Sequence, residues 1–560
     1  MTKISIRIAI ILIAIIAALY FFRFRIDLTE DGRYSISLVS KDFLRKNSNV
    51  IDVKLYLHGN LNPGFNRLKR ATTDMITDMS SYSKGQFKVQ LINPSEAANA
   101  EQREQKYAEL EAQGMKPTAI YERDKEGKAI QKIVFPWLTL TSNGRTIQVP
   151  LLKNIAGNDG ETNLNISIEN LEYEITDGLR RLLNTNVPKI AFIEGHNELS
   201  EAETYDISKT MSRYFQIDRG SIGNDAAILA PYKAIIIADP RESFGESEKY
   251  IIDQYIMRGG SVLWLVDGAK LDHNRLATVG NTPAIDHDLN LADMFFKYGI
   301  RIGQNLLQDL QCIKIPVNIA PAGQKPQFEP APWYFSPLLL TSQFHPITKN
   351  IMEVKAEFAS SIEYIDDPSK ARKAHLLLAT SDNSRIIGVP SIIDLASTSS
   401  KQDINTFTHS YVPVAVLVEG QFESVFRNRM APPGINNPYP FAEKSKSAKQ
   451  MFVSNARIIR NETTGIASDS TTLPLGFDRY INMQFGNRDF VRNAILYLTD
   501  DQGWLLLRER SIKMRLLNKQ IIQNHLRVWQ VLNVIVPLVI LAIFGIVFNF
   551  LRKRKYGKII

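Results

Sequence analysis

A single cysteine, Cys312, stands in a chain of 560 residues. No disulfide can close within it, no Cys-x-x-Cys pair can exchange electrons, and a zinc site built on several thiolates is excluded. The Gly-x-x-x-x-Gly-Lys-Ser/Thr loop that cradles nucleotide phosphates is missing, so ATP hydrolysis by this chain itself is not expected. His-Glu-x-x-His and Gly-x-Ser-x-Gly are missing too, which removes two familiar hydrolase signatures. No pattern of arginines among aromatics points to nucleic acid. Charge is absent from two long stretches, residues 8–22 and residues 528–551.

Those two stretches organise everything else. Residues 528–551 cover roughly 36 Å as a helix, enough to cross a hydrocarbon core of about 30 Å. Pro537 and Gly545 are tolerable inside such a helix. Residues 4–22 reach across if Arg7 snorkels to the interface, with Tyr20, Phe21 and Phe22 as an aromatic belt. Ala17 and Ala18 are followed by bulky residues, which favours an uncleaved anchor over a signal peptide. Two spans place both termini on one side. The basic tail from Arg552 to Lys555 favours the cytoplasm for them and an exported, periplasmic domain between.

The intervening chain has the composition of a folded protein, with mean hydropathy −0.15 and 22% charged residues. The net charge of +9 lies largely beside the spans, where anionic lipid headgroups account for it. Residues 26–186 read β-α-β-α-β-β, the order of a thioredoxin-like fold without its Cys-x-x-Cys. Strands fall near residues 50–57, 87–92, 119–122 and 130–141, with Asn143-Gly144 as a hairpin turn. A helix over residues 65–83 places Leu68, Met75, Ile76 and Met79 on one face.

Residues 187–500 alternate apolar β-branched runs with helices, the pattern of a doubly wound, flavodoxin-like parallel sheet. Strands are expected at residues 189–194, 216–222, 234–238 and 261–266. From residue 311 onward Pro316, Pro321, Pro326, Pro330, Pro332 and Pro337 predict loops and irregular insertions. Residues 430–447 read as a mobile loop, and residues 457–459 as a return to the sheet. Residues 503–527 read as a basic amphipathic juxtamembrane helix leading into the second span. The expected fold class is therefore α/β, with a thioredoxin-like and a flavodoxin-like domain flanked by transmembrane helices.

In an open parallel sheet, ligands sit beyond the carboxyl ends of the strands. Glu194, His196 and Glu198 follow one expected strand, and Asp239 and Asp267 end two others. A histidine between carboxylates is suited to acid–base work or to metal. The competing reading is a polar loop that caps the next helix. Asp272-His273 and Asp286-His287-Asp288 form a second acid/His group. Cys312 has no neighbouring base to activate it. No cofactor, metal ligand set or catalytic residue is assigned.

Several segments together resemble one family. Residues 27–37 (Asp-Leu-Thr-Glu-Asp-Gly-Arg-Tyr-Ser-Ile-Ser), Glu194-Gly195-His196-Asn197-Glu198, Gly259-Gly260, residues 418–424 (Val-Glu-Gly-Gln-Phe-Glu-Ser) and Gly486-Asn487 are similar to GldG, the gliding-motility auxiliary component of bacterial ABC transporters. Where family members often have glycine, this chain has Asn197, so the resemblance alone does not require a tight turn there. It implies a GldF-like permease and a GldA-like ATPase as partners. It also implies a domain shared with intraflagellar-transport proteins, for which carbohydrate binding has been suggested. The expectation is a non-enzymatic, membrane-anchored accessory subunit for substrate capture or coupling. The alternatives are a sugar-binding or hydrolytic module at the strand-end pocket of the second domain, and a scaffold without a ligand.

Overall fold

The computed structural model describes residues 35–556 apart from 124–128, 185, 319, 321–323, 366–370, 400–401, 465–470 and 510–518. The expected first span, residues 4–22, lies outside the described residues, as does most of the 27–37 motif. The chain divides into two compact units, residues 1–511 and residues 512–560.

The first unit opens on helix α1 (Leu38–Lys46), which the Ser37 hydroxyl caps by accepting from Ser40 N. There follow β1 (Ile51–Leu55), α2 (Pro63–Tyr82), β2 (Phe87–Leu91) and α3 (Ala100–Ala112), then β3 (Thr118–Arg123), β4 (Ala129–Val134), β5 (Trp137–Ser142), β6 (Arg145–Pro150) and α4 (Gly160–Leu183). The sheet order is β2-β1-β5-β6, with β1 parallel to β2 and antiparallel to β5. In α2 the side chains of Phe65, Leu68, Thr72, Ile76 and Met79 are buried, at the helical spacing that puts them on the sheet. Met75 is only partly buried against the same core. Residues 130–141, expected as one strand, are two: β4 pairs with β3 as a separate hairpin, and β5 joins the sheet after Phe135-Pro136. Proline cannot donate a ladder hydrogen bond, so the chain breaks there. Asn143 and Gly144, with φ of 49° and 76°, make the tight turn into β6.

Helix α4 joins this layer to the next. Leu164, Leu171, Ile175 and Leu179 belong to the first core, and Tyr173 belongs to the second. Asp177 accepts from Arg181 at 3.0 Å and from the Tyr214 hydroxyl at 3.0 Å. The two domains anticipated on either side of residue 186 therefore share buried surface within one unit.

The larger sheet contains β7 (Lys189–Ile193), β8 (Gln216–Gly220), β9 (Tyr232–Ala238) and β10 (Ser261–Leu265), then β11 (Cys312–Asn318), β12 (Phe328–Thr341), β13 (Arg372–Ala379), β14 (Pro413–Gly420) and β15 (Ala448–Val453). Its order is β11-β12-β13-β14-β15-β10-β9-β7-β8. Strands β8, β7, β9, β10 and β15 are mutually parallel. From β15 to β11 every pairing is antiparallel. Helices α5 (Tyr205–Met211), α6 (Glu246–Met257) and α7 (Asn487–Leu498) accompany the parallel half. Separate apolar clusters lie on its two faces: Ile190, Phe192, Ile236 and Leu263 belong to one, and Ala191, Ile193, Ile235, Ile237 and Trp264 to the other. This is the alternation a sheet covered on both sides requires.

The proline-rich stretch corrects the sequence expectation. Pro316, Pro330, Pro332 and Pro337 lie in β11 and β12, with Pro316 opposite Pro330. The hairpin ends the sheet and its register shifts between Cys312 and Lys314, positions where missing amide protons are tolerated. Residues 457–459 do not return to the sheet. Ala456–Ile459 is a 3-10 turn, and the strand is β15. Residues 430–447 have no regular structure but are tied down, through Ala226 N to Asn436 O at 2.9 Å and Ala442 N to Gln254 Oε1 at 2.8 Å.

The stretch expected as one juxtamembrane helix is divided. Trp504–Glu509 is a 3-10 turn whose Trp504, Leu505 and Leu507 are buried in the first unit, and a short helix spans Lys519–Asn524. Burial of its apolar residues explains why the first part does not lie free as an amphipathic helix. In the second unit α8 (Leu526–Tyr556) contains Pro537, and Leu526–Arg554 holds an 18-residue window of mean hydropathy 2.9, long and apolar enough to cross a membrane.

Candidate functional site

The loop after β7 turns back at once. Gly195 has φ of 127° and Asn197 φ of 59°. Asparagine tolerates the left-handed region better than most residues, so Asn197 makes the turn that glycine would. The turn buries His196 between two carboxylates: its Nδ1 is 3.1 Å from Glu198 Oε1 and its Nε2 2.9 Å from Glu248 Oε2 on α6. The ring also stacks on Phe244, with centroids 3.7 Å apart. Burial disfavours a charged imidazole, but the hydrogen bonds and charges of Glu198 and Glu248 outweigh it and hold the pKa above its ordinary value. A protonated ring donates from both nitrogens, one to each carboxylate, and in that state keeps no lone pair for a metal or a substrate proton. The His196 backbone is engaged as well, N donating to Glu198 Oε2 at 2.7 Å and O accepting from Arg241 N at 2.8 Å.

Glu194 points elsewhere. Its Oε1 accepts from Arg219 Nε at 2.7 Å, and Arg219 also reaches Thr204 Oγ1 and Leu199 O. Arg219 lies over the Phe192 ring at 4.8 Å. Glu194, His196 and Glu198 thus bind the β7 loop to α6 and to the sheet edge.

Asp239 and Asp267 form the second half of the strand-end group. Asp239 has φ of 59° and Asp239 N donates to Leu265 O at 3.0 Å. Its carboxylate takes both Nε and Nη2 of Arg241, at 3.1 and 2.6 Å. Asp267 is buried and accepts from Ala456 N at 2.7 Å. Burial, and then the charge of Asp239, push the Asp267 carboxyl up to about 8. Asp267 lines a cavity of about 440 Å³ with His287, Asp288, Arg301 and Asn305. His287 Nδ1 donates to the Asp267 carbonyl at 3.0 Å, and its buried Nε2 has no hydrogen-bond partner among the described residues.

The structure adds residues that sequence reading passed over. Glu248 was visible only as an acid three residues into a helix, where a capping role is the usual reading. Arg241, Arg457 and Arg460 reach the same strand ends from loops with no periodic signal. Arg457 Nε pairs with Glu357 at 2.6 Å, and Arg460 Nη2 with Glu203 at 3.1 Å. Arg460 lines two cavities, one of about 390 Å³ and one of about 550 Å³.

The second acid/His group does not assemble. Asp272 caps the short helix His273–Val279 by accepting from Arg275 N. The neighbouring His273 is held down to about 4 by burial and by Arg457. Among the described residues no cluster of three or more His, Cys, Asp or Glu is placed to hold a metal ion. Cys312 is half-buried, and burial together with Asp309 pushes its thiol up to about 12, far from a thiolate nucleophile.

Two of the remaining motifs make buried structural contacts. Asp253 on α6 is fully buried and accepts from the Ser424 hydroxyl at 2.6 Å, Val425 N at 2.9 Å and the Tyr298 hydroxyl at 2.8 Å. The 418–424 segment thereby seats Phe422 against Tyr298, with ring centroids 5.4 Å apart. Asn487 is buried and receives Lys355 N while donating to Lys355 O and Ile458 O.

Comparison with known proteins adds the following. An uncharacterized protein of Borreliella burgdorferi is 23% identical over 545 residues, which cover 95% of this chain and 94% of the relative. The solved mmIFT52 N-terminal domain aligns at 14% identity over 56% of this chain and 98% of that one, with a TM-score of 0.32. Residues 30–141 match a domain of unknown function, DUF7088. Residues 187–494, which run from β7 into α7, match the family described as ABC-type uncharacterized transport system. With more than half of its length matched, the chain belongs to that ABC transport auxiliary family.

Proposed function

We propose that this chain is a membrane-anchored, non-enzymatic accessory subunit of a bacterial ABC transporter complex of the GldG type. It works beside a GldF-like permease and a GldA-like ATPase, with the large unit in the periplasm and both termini in the cytoplasm. The observation that carries this reading is the family match across residues 187–494, in a chain whose α8 is apolar enough to span a bilayer. The strand orders support a thioredoxin-like first region and a flavodoxin-like parallel half in the second, the latter running β8-β7-β9-β10-β15. The engagement of both His196 nitrogens by carboxylates favours a non-catalytic role for that loop.

Gentle detergent extraction from the native membrane, followed by mass spectrometry, tests the proposal. A polytopic permease and an ATPase should co-purify in fixed ratio. A chain that purifies alone, or that turns over ATP by itself, contradicts it.

A second reading adds ligand capture at the strand ends of the larger sheet. The cavities that Asp267 and Arg460 line, at the place where open α/β sheets bind ligands, favour it.

A further inference from the structure

Three guanidinium groups meet beyond the carboxyl ends of β9, β10 and β15. Arg241 follows β9, and in the turn that follows β15 Arg457 is the second residue and Arg460 the one just after its end. The hydrogen bond from Ala456 N to Asp267 fixes where that turn begins. Arg460 lines both the 390 Å³ cavity, with Arg457 and Lys355, and the 550 Å³ cavity, with Arg241 and Lys270. Such volumes suit a small molecule.

Each arginine has a carboxylate partner, but each guanidinium carries five N–H donors and these partners occupy only part of them. Nη1 of Arg457 is buried without a hydrogen-bond partner among the described residues. Burial first, and then repulsion from Arg457 and Arg241, lower the pKa of Arg460, against the opposing charges of Glu203 and Asp239.

We propose that the pair Arg457 and Arg460 binds an oxyanion, the carboxylate or phosphate group of a small molecule, with the rest of the ligand in the adjoining cavities. The planar guanidinium fork matches either group in bidentate fashion. Glu357, Glu462 and Asp478 line the first cavity too, opposite Lys355, Arg457, Arg460 and Arg479, and Lys355 pairs with Glu462 and Asp478, so the small positive excess suits a ligand with one or two acidic groups. The assignment rests on the strand-end reading above and names its ligand class.

The test uses the full chain in detergent. Sodium phosphate and sodium citrate are titrated calorimetrically at constant ionic strength against chloride, with glucose as an uncharged probe. Saturable binding of at least one anion is expected, weakened tenfold or more in R460Q and in R457Q. Phosphate binding without citrate assigns a phosphate ligand, and the reverse assigns a carboxylate. R460K keeps the charge without the fork and should fall between wild type and R460Q. It also replaces R460Q if circular dichroism shows that variant unfolded. Anions that bind no better than chloride, or that bind R460Q as they bind wild type, overturn the assignment. Glucose binding without anion binding overturns the oxyanion and leaves the strand-end reading standing. No binding of any probe ends both.

Discussion

The imidazole Nε2 of His196 lies 2.9 Å from Glu248 Oε2, and Glu248 Oε2 also accepts from Gly245 N at the start of α6. One carboxylate thus ties the β7 loop to a helix that begins about fifty residues further along. The pair explains why the most conspicuous acid/His motif in the chain behaves as a brace.

Because the folded pKa of His196 is raised, its contribution to stability is complete below its unfolded value of about 6.5 and is lost as pH rises through the folded value. In H196Q the stability difference from wild type should be largest at pH 5–6 and shrink in alkali. Urea unfolding across pH 5–9 measures it. A difference that does not vary with pH contradicts the charged brace.

Asp267 behaves in the opposite sense. Its carboxyl is raised to about 8, so between about pH 4 and 8 the folded state holds a proton that the unfolded state has released, and stability falls as pH rises. D267N is neutral at every pH, and its amide oxygen can still accept from Ala456 N. The variant should be more stable than wild type at pH 8, on the order of a few kcal/mol. Equal or lower stability at pH 8 contradicts a protonated Asp267.

His345 contributes to acid sensitivity. It is buried, packs edge-on to Tyr497 with ring centroids 4.8 Å apart, and is pushed down to about 3 by burial, with His375 and Lys449 adding repulsion. The unfolded state protonates first as pH falls below about 6.5, so His345 alone should remove up to about 1.4 kcal/mol per pH unit between there and its folded value. H345N should have a shallower acid-unfolding slope, read from thermal midpoints between pH 4 and 7.

Asp253 is a fully buried acid that accepts from several partners. D253A would leave the Tyr298 hydroxyl, the Ser424 hydroxyl and Val425 N without their shared acceptor. The cost should be about 3 kcal/mol or more, measured by chemical denaturation. By comparison, L263A removes a core side chain of the parallel half and should cost about 2–5 kcal/mol.

Much of this architecture is set by local pattern. The buried runs of β9 and β10 are apolar because both faces of a parallel sheet are covered, and the uncharged run of residues 528–551 makes a helix long and apolar enough to cross a membrane. Asn143-Gly144 specifies its turn through backbone freedom, and the lack of a phosphate loop is plain from the letters. These features depend on neighbours in sequence, so the sequence determined them. The proline-bearing hairpin of β11 and β12 was hidden, because proline reads as loop until a sheet edge is known to receive it. The division between brace and site was hidden as well. His196 and Asp267 are both strand-end polar residues in the sequence. Only the tertiary structure brings Glu248 to one and the Arg457 turn to the other, since hydrogen bonding and desolvation act between groups that packing, not chain order, makes adjacent.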